Sequence, residues 1–330
     1  MKKRILTGIT TTGTPHIGNY IGAIRPAIEL VNECDQSFLF LADYHSMIKN
    51  HNPNEVQESV KQIALAWLSC GLDTNKTFFY RQSDVPEILE LCWILNCVTA
   101  KGLMNRAHAY KAAIAENDQD LDKGITMGLF SYPVLMASDI LMFDATHVPV
   151  GPDQVQHMEM TRDIAAKFNY IYKDTFNLPE PIIDVKEKIV LGLDGRKMSK
   201  SYNNVIPLLS SETKLRKSIM KIITNSLEPG EPKDSSNCTV FEMYKHFVDK
   251  KKTKNFEQMY SDGISWGEAK QMLFEIVNNE LTPIRAKYDE LLEDTNLIND
   301  LLSDGAKKVR IIAKEKILQV REAIGINKIS

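Results

Sequence analysis

For roughly its first two hundred residues the chain alternates short β-rich runs with longer amphipathic stretches; after Ser201 the alternation stops and helical patterns take over. Strands separated by helices build a parallel sheet covered on its faces, whereas helices alone must pack on one another. The expected fold is therefore α/β, a doubly wound parallel sheet with a C-terminal all-helical domain, divided as residues 1–205 and 206–330. Residues 4–8, 37–42, 77–80 and 146–149 read as strands, and residues 17–34, 86–99 and 153–168 as helices. Asn52-Pro53-Asn54-Glu55 supplies an N-cap, a proline at the first helical position and an acid at the third, opening a helix that the Gly71-Leu72-Asp73 turn closes. Further on, Leu215, Ile219 and Ile222 mark an apolar helical face, residues 227–237 form a loop, and Ser265-Trp266-Gly267-Glu268 is a capping box. The last helix is expected to have Asp304-Gly305 at or near its start, to stop at Gly325, and to pack back on the first domain.

Composition limits the partners. With 330 residues, 43% of them hydrophobic, and a net charge of -3, the chain has core enough for two domains but no overall basic field. Any nucleic-acid contact must be local. Apolar runs such as residues 63–68 and 128–136 are too short to span a membrane, and Met1-Lys2-Lys3 leads into a strand, so a cytoplasmic protein with no membrane partner is expected. The five cysteines are odd in number and sit mostly in apolar helical runs, where they read as small core residues with no disulfide or metal implied.

Two segments far apart carry the chemistry. Pro15-His16-Ile17-Gly18-Asn19 opens a helix after the first strand and after the hydroxyl-rich Thr10-Thr11-Thr12; a helix start offers free N–H groups and a positive dipole end to phosphate. Gly8 lets backbone approach a ligand. Lys197-Met198-Ser199-Lys200-Ser201 follows the turn signal Leu193-Asp194-Gly195-Arg196, so its lysines lie on a loop expected to be mobile, suited to charge that develops on a leaving pyrophosphate. Taken singly, the first segment also reads as a capped helix with a surface histidine, and the second as a solvated basic loop. Together they make sense as two halves of one nucleotide site.

Between them, Tyr132, Met136 and Asp139 share one helical face at i, i+4 and i+7. An acid in so apolar a helix is either salt-bridged or an acceptor for a flat apolar ligand with one N–H donor, and indole is such a ligand. In Val148-Pro149-Val150-Gly151-Pro152-Asp153-Gln154, alternate valines can form a pocket wall, Gly151 permits close approach, and Asp153 and Gln154 can meet ribose hydroxyls and an ammonium; an ordinary strand-to-helix turn is the other reading. Asp43-Tyr44-His45 ends another strand, with His45 either structural or facing a ligand. Lys214, Lys217 and Lys221 form a stripe that fits RNA phosphates or simply solvent.

Taken together, the two signature segments resemble those of the class I aminoacyl-tRNA synthetases, with Asn19 where the family usually has a second histidine and residues 197–201 matching throughout. The helix around Asp139 resembles the tryptophan-binding helix of the bacterial tryptophanyl-tRNA synthetases, in which the matching acid accepts the indole N–H. That resemblance implies a Rossmann-like sheet and ATP binding by Thr10, Thr11, Thr12, His16, Gly18, Asn19, Gly151, Pro152, Asp153, Val190, Lys197, Met198, Ser199, Lys200 and Ser201, with His16, Lys197 and Lys200 acting on the phosphates. Tryptophan would be bound by Leu6, Gly8, His45, Tyr132, Met136, Asp139, Val148, Val150 and Gln154. Thr10 stands where bacterial members carry glutamine, and Leu6 where some carry phenylalanine. It implies ATP with Mg²⁺ held by phosphates and water, tRNA(Trp) as partner for the helical domain, and a homodimer. The rival readings are a tyrosyl enzyme, which shares fold and signatures, and a non-catalytic RNA-binding paralogue.

Overall fold

The computed structural model describes residues 2–11, 13–117, 123–183 and 189–327, the side chains of Asp153 and Thr295 excepted. Five strands, β1 (Arg4–Thr10), β2 (Gln36–Ala42), β3 (Thr77–Arg81), β4 (His147–Val150) and β5 (Glu180–Ile183), form one sheet in the order β3-β2-β1-β4-β5. All pairings are parallel, with Leu6 opposite Phe38 and Ile5 opposite His147. Alternation along the strands sends Leu6, Phe38, Phe40, Tyr80 and Val148 to one face, where they pack with the helices Glu87–Val98, Met127–Met142 and Val155–Ile171. The other face takes Leu39, Leu41 and Phe79 into a cluster with Trp67 that continues into Leu215, Val240, Phe256 and Leu273 of the C-terminal helices. One apolar core therefore runs from the sheet into the helical region.

The sequence pattern does not predict β5, since Pro181 sits inside it; as the edge strand it has a free side, where a missing N–H is tolerated. The expected single helix over 17–34 is instead Ile17–Asn19, a π-turn at Tyr20–Ile24, and Arg25–Val31. Pro26 has no N–H to reach back one turn, and the helix widens just before it, with the Arg25 N–H bonding the Tyr20 carbonyl. The Asn52 N-cap and the Ser265–Glu268 capping box form as expected.

The terminal helix spans Thr295–Ala323, so Asp304-Gly305 lies well inside it rather than at its start. Asp294 caps the true start. Gly305 is there for proximity, since a β-carbon on it would sit 1.8 Å from the Phe79 carbonyl oxygen of β3. Beyond the helix Gly325 takes φ +78, which a glycine adopts without strain. Ion pairs from Arg310 to Glu87 (2.9 Å), from Arg321 to Glu90 (2.6 Å) and from the buried Lys316 to Asp144 (2.8 Å) fasten this helix to the sheet-bearing part. No described helix is long and apolar enough to cross a membrane, and all five cysteines are free thiols.

Candidate nucleotide and amino-acid site

In this strand order β1 connects onward to β2 on one side and its neighbour β4 connects onward to β5 on the other, which opens a crevice at the carboxyl ends of β1 and β4. A cleft of about 1040 Å³ lies there. Gly8 and Thr10 of β1, His16, Gly18 and Asn19 of the helix start, Val150, Gly151 and Pro152 after β4, and Val190, Lys197, Met198, Ser199 and Lys200 all line it.

The two signature segments meet in it through backbone and side chains alike. Ile17 N–H donates to the Ile206 carbonyl (2.9 Å) and Leu208 N–H to the Pro15 carbonyl (3.1 Å), which binds the stretch following the lysine loop to the first helix start. The Lys200 Nζ lies 3.0 Å from where a β-carbon on Gly13 would sit; Gly13 itself takes φ +59. The Met198 sulfur lies 3.4 Å from where a β-carbon on Gly18 would sit, and the His16 ring lies closer still, at 2.9 Å. His16 caps its own helix: Nδ1 accepts from the Asn19 N–H (3.2 Å), while the Asn19 Oδ1 accepts from the His16 N–H (3.0 Å). With Nδ1 an acceptor, the neutral ring carries its proton on Nε2 and can donate it. Burial, aided by the Lys200 charge, brings the His16 pKa down to about 4, so the ring stays neutral.

The lysine loop has an internal scaffold that sequence reasoning missed. Asn204, 2% exposed, donates to the Asp194 carboxylate (2.6 Å) and the Lys197 carbonyl (3.2 Å), and its Oδ1 accepts from the Ser199 N–H (2.8 Å). A β-carbon on Gly192 would collide with this side chain at 2.3 Å. Asp194 is held at a pKa of about 2 by Asn204 and by Arg196. Lys200 opens a 3₁₀ turn, Lys200–Tyr202, rather than lying in open loop.

A set of polar groups that do not themselves line the cleft leads up to it at Gln154. Asp139 has no exposed surface; its oxygens accept from Gln82 Nε2 at 2.8 and 2.9 Å, and Oδ2 is 3.0 Å from His45 Nε2. Burial pushes its carboxyl above the usual range, while His45 and Gln82 pull the other way. The His45 ring meets Tyr132 edge-on at 6.3 Å between centroids. Tyr132 OH donates to His157 Nε2 (2.7 Å), and His157 Nδ1–H donates to Gln154 Oε1 (2.8 Å), fixing the Gln154 amide beside the cleft residues Gly151 and Pro152. Gln82 and His157 were not foreseen. Gln82 follows directly on a strand end, and His157 sits three residues after Gln154, but nothing in the pattern separates either from an ordinary core polar residue.

Other expected residues fall outside the cleft. Thr11 is fully buried and its hydroxyl has no partner among the described residues; Leu6 and Val148 belong to the core face of the sheet; Ser201 is exposed and bonds within its own loop. Met136 is half-buried against that same core. Thr12 and the Asp153 side chain lie outside the described residues. Lys214, Lys217 and Lys221 are exposed.

Residues 1–282 match the family model described as tRNA synthetases class I (W and Y). A tryptophan–tRNA ligase of Neisseria meningitidis is 55% identical over 98% of both chains, and one of Pseudomonas aeruginosa is 52% identical over 99% of this chain and 74% of its own. The crystal structure of tryptophanyl-tRNA synthetase from Campylobacter jejuni complexed with ADP and tryptophan superposes with a TM-score of 0.88 at 44% identity, covering 98% of this chain and 99% of that one. With its parallel sheet, its two signatures joined at the switch point and this likeness over nearly its whole length, the chain belongs to the class I tRNA synthetases of the tryptophan and tyrosine family.

Proposed function

We propose that the chain catalyses the ATP-dependent attachment of L-tryptophan to tRNA(Trp). The observation that carries the choice of amino acid is Asp139, a carboxylate with no exposed surface, held by Gln82 and His45 and linked through Tyr132 and His157 to the edge of the nucleotide cleft. A buried acceptor of this kind suits the indole N–H, and a site built around one donor rejects side chains that lack it in that place. Gln154 Oε1 has a second lone pair for the α-ammonium, and Gly8 and Val150, which line the cleft, give the ring apolar walls.

In the first step the tryptophan carboxylate oxygen attacks the α-phosphorus in line, the new P–O bond forms, and the bond to the β-phosphate oxygen breaks to release pyrophosphate. No protein nucleophile takes part. Lys197, Lys200 and the Nε2–H of His16 stabilise charge as it moves onto the departing phosphates, and the cleft supplies orientation. In the second step a terminal ribose hydroxyl of the tRNA attacks the adenylate carbonyl and AMP leaves. The protein groups assigned to the phosphates, Lys197, Lys200 and His16, are donors and cations that suit oxyanions, so Mg²⁺ would come with the triphosphate and be held by phosphate oxygens and water, adding to the charge neutralisation those residues provide. Thr10, Gly18, Asn19, Gly151, Pro152 and Asp153 bind the nucleotide, with Val190 and Met198 against the adenine.

The division at about residue 205 goes with this reading: residues 1–205 activate the amino acid and residues 206–330 meet the anticodon, with residues 206–208 tying one to the other through Pro15 and Ile17. A homodimer acting in the cytoplasm completes it. Charging of purified bacterial tRNA with labelled tryptophan and, in parallel, tyrosine tests the assignment: tryptophan is incorporated in an ATP-dependent way, and charging with tyrosine alone, or no charging, refutes it.

A further inference from the structure

The π-turn that follows His16 and Asn19 is anchored far along the chain. Tyr20 donates its backbone N–H to the His16 carbonyl (3.2 Å) and its hydroxyl to Glu280 Oε1 (2.7 Å) in the helix Trp266–Glu293. Arg25, at the other end of the π-turn, stands 3.8 Å from the same Glu280 oxygen and lies over the Tyr20 ring at 5.5 Å. It also donates to the His246 carbonyl (3.0 Å) and lies over the Phe247 ring at 5.9 Å. Burial and the Glu280 bond together push the Tyr20 hydroxyl pKa upward, as expected of a tyrosine that keeps its proton as donor. Neither Tyr20 nor Glu280 lines the cleft; Pro26 sets where the helix widens, and the Tyr20, Arg25 and Glu280 contacts set where the widened turn sits against the C-terminal helices.

We propose that Tyr20 and Glu280 are positioning residues for the nucleotide site. The bond between them holds the turn that presents His16 and Asn19 at a fixed depth against the long C-terminal helix, with Arg25 bracing the pair. This rests on the reading of His16 and Asn19 as phosphate-facing groups. Tyr20 is coupled to His16 by one peptide hydrogen bond, so freeing its side chain loosens the donor geometry without removing any group that touches ATP. The amino-acid groups Asp139, His45 and Gln154 hang from other elements and are left in place.

Tyr20→Phe, Glu280→Gln, their double variant and the control Tyr288→Phe separate positioning from stability. Tyr288 lies on the same long helix and donates to Gln62 (3.1 Å), a sheet-side contact remote in the chain from the π-turn. Tryptophan-dependent exchange of pyrophosphate into ATP gives KM for ATP and for tryptophan, calorimetry gives ATP binding independently of turnover, and thermal unfolding gives stability. The proposal predicts that Tyr20→Phe raises the ATP KM and Kd severalfold, with about tenfold as the ceiling reached if the whole worth of one hydrogen bond to a charged group passes into the ATP-binding geometry. Under it the tryptophan KM is unchanged, the double variant is no worse than Tyr20→Phe, and Tyr288→Phe moves Tm alone. It is overturned if ATP binding in Tyr20→Phe equals that of the wild type, or if Tyr288→Phe weakens ATP binding to the same extent. Failure of the wild type to exchange would sink the assigned function, whereas the calorimetric comparison would still decide the positioning role.

Discussion

Replacing Asp139 by asparagine preserves the size of the side chain and turns one acceptor into a donor. Gln82 Nε2 lies within 2.9 Å of both carboxylate oxygens and His45 Nε2 is 3.0 Å from one, so the new amide nitrogen faces a donor whichever way it turns. Gln82 can rotate its amide and accept through Oε1, which is buried with no partner among the described residues in the native arrangement, at the cost of stranding its own nitrogen. The fold loses about one hydrogen bond, roughly 1–2 kcal/mol. Part of this is offset because a neutral amide is easier to bury than a carboxylate whose pKa burial already raises. The net destabilisation is about 1 kcal/mol, a Tm change of a few degrees. Recognition suffers more. A bond from the indole N–H to a charged acceptor is worth about 1.5–3 kcal/mol, which lowers kcat/KM for tryptophan by about 10- to 150-fold. Tryptophan-dependent pyrophosphate exchange measures this, with the ATP KM as an internal control that stays unchanged. A folded Asp139→Asn protein with wild-type tryptophan kinetics would refute the recognition argument and leave Asp139 a structural acid.

Lys200→Ala lowers kcat for adenylate formation by about 10²- to 10³-fold with little effect on tryptophan binding, as expected for a charge used mainly in the transition state; a variant altered only in KM contradicts this. The His16 ring has a folded pKa of about 4, below its free value of 6.5, so the unfolded chain binds more protons between those pH values. Its stabilising contribution is complete above pH 6.5 and is lost as pH falls through 4, and an NMR titration of the ring has its midpoint near 4. A midpoint near 6.5 would remove the neutral-donor role. Gly305→Ala puts a methyl group 1.8 Å from the Phe79 carbonyl and forces helix and strand apart, costing about 3 kcal/mol in thermal unfolding; an unchanged Tm would show that Gly305 does not set that contact.

The strands β1 to β4 and the capped helices were legible because their signals are local: two-residue alternation, an asparagine before a proline, a serine three residues before a glutamate. The convergence of His16 with Lys200 was legible from chemistry and not from spacing: a helix start open to phosphate and a lysine loop make sense as halves of one nucleotide site, and the resemblance then named its class. β5 was hidden by Pro181, and the start of the terminal helix by Gly305, whose role is set by the neighbouring strand and not by its own segment. Asn204, Gln82 and His157 were illegible for the same reason. Each is a common polar residue whose importance comes from what the fold sets beside it. Leu6 and Val148 show the reverse: strand periodicity places them on a buried face, and that face here is core.

The central claim is that one site brings ATP and tryptophan together, and the exchange of labelled pyrophosphate into ATP by the purified wild-type chain tests it most directly. Exchange that depends on tryptophan and is absent with tyrosine is the predicted result. Exchange driven by tyrosine, or none with either amino acid, would contradict the account.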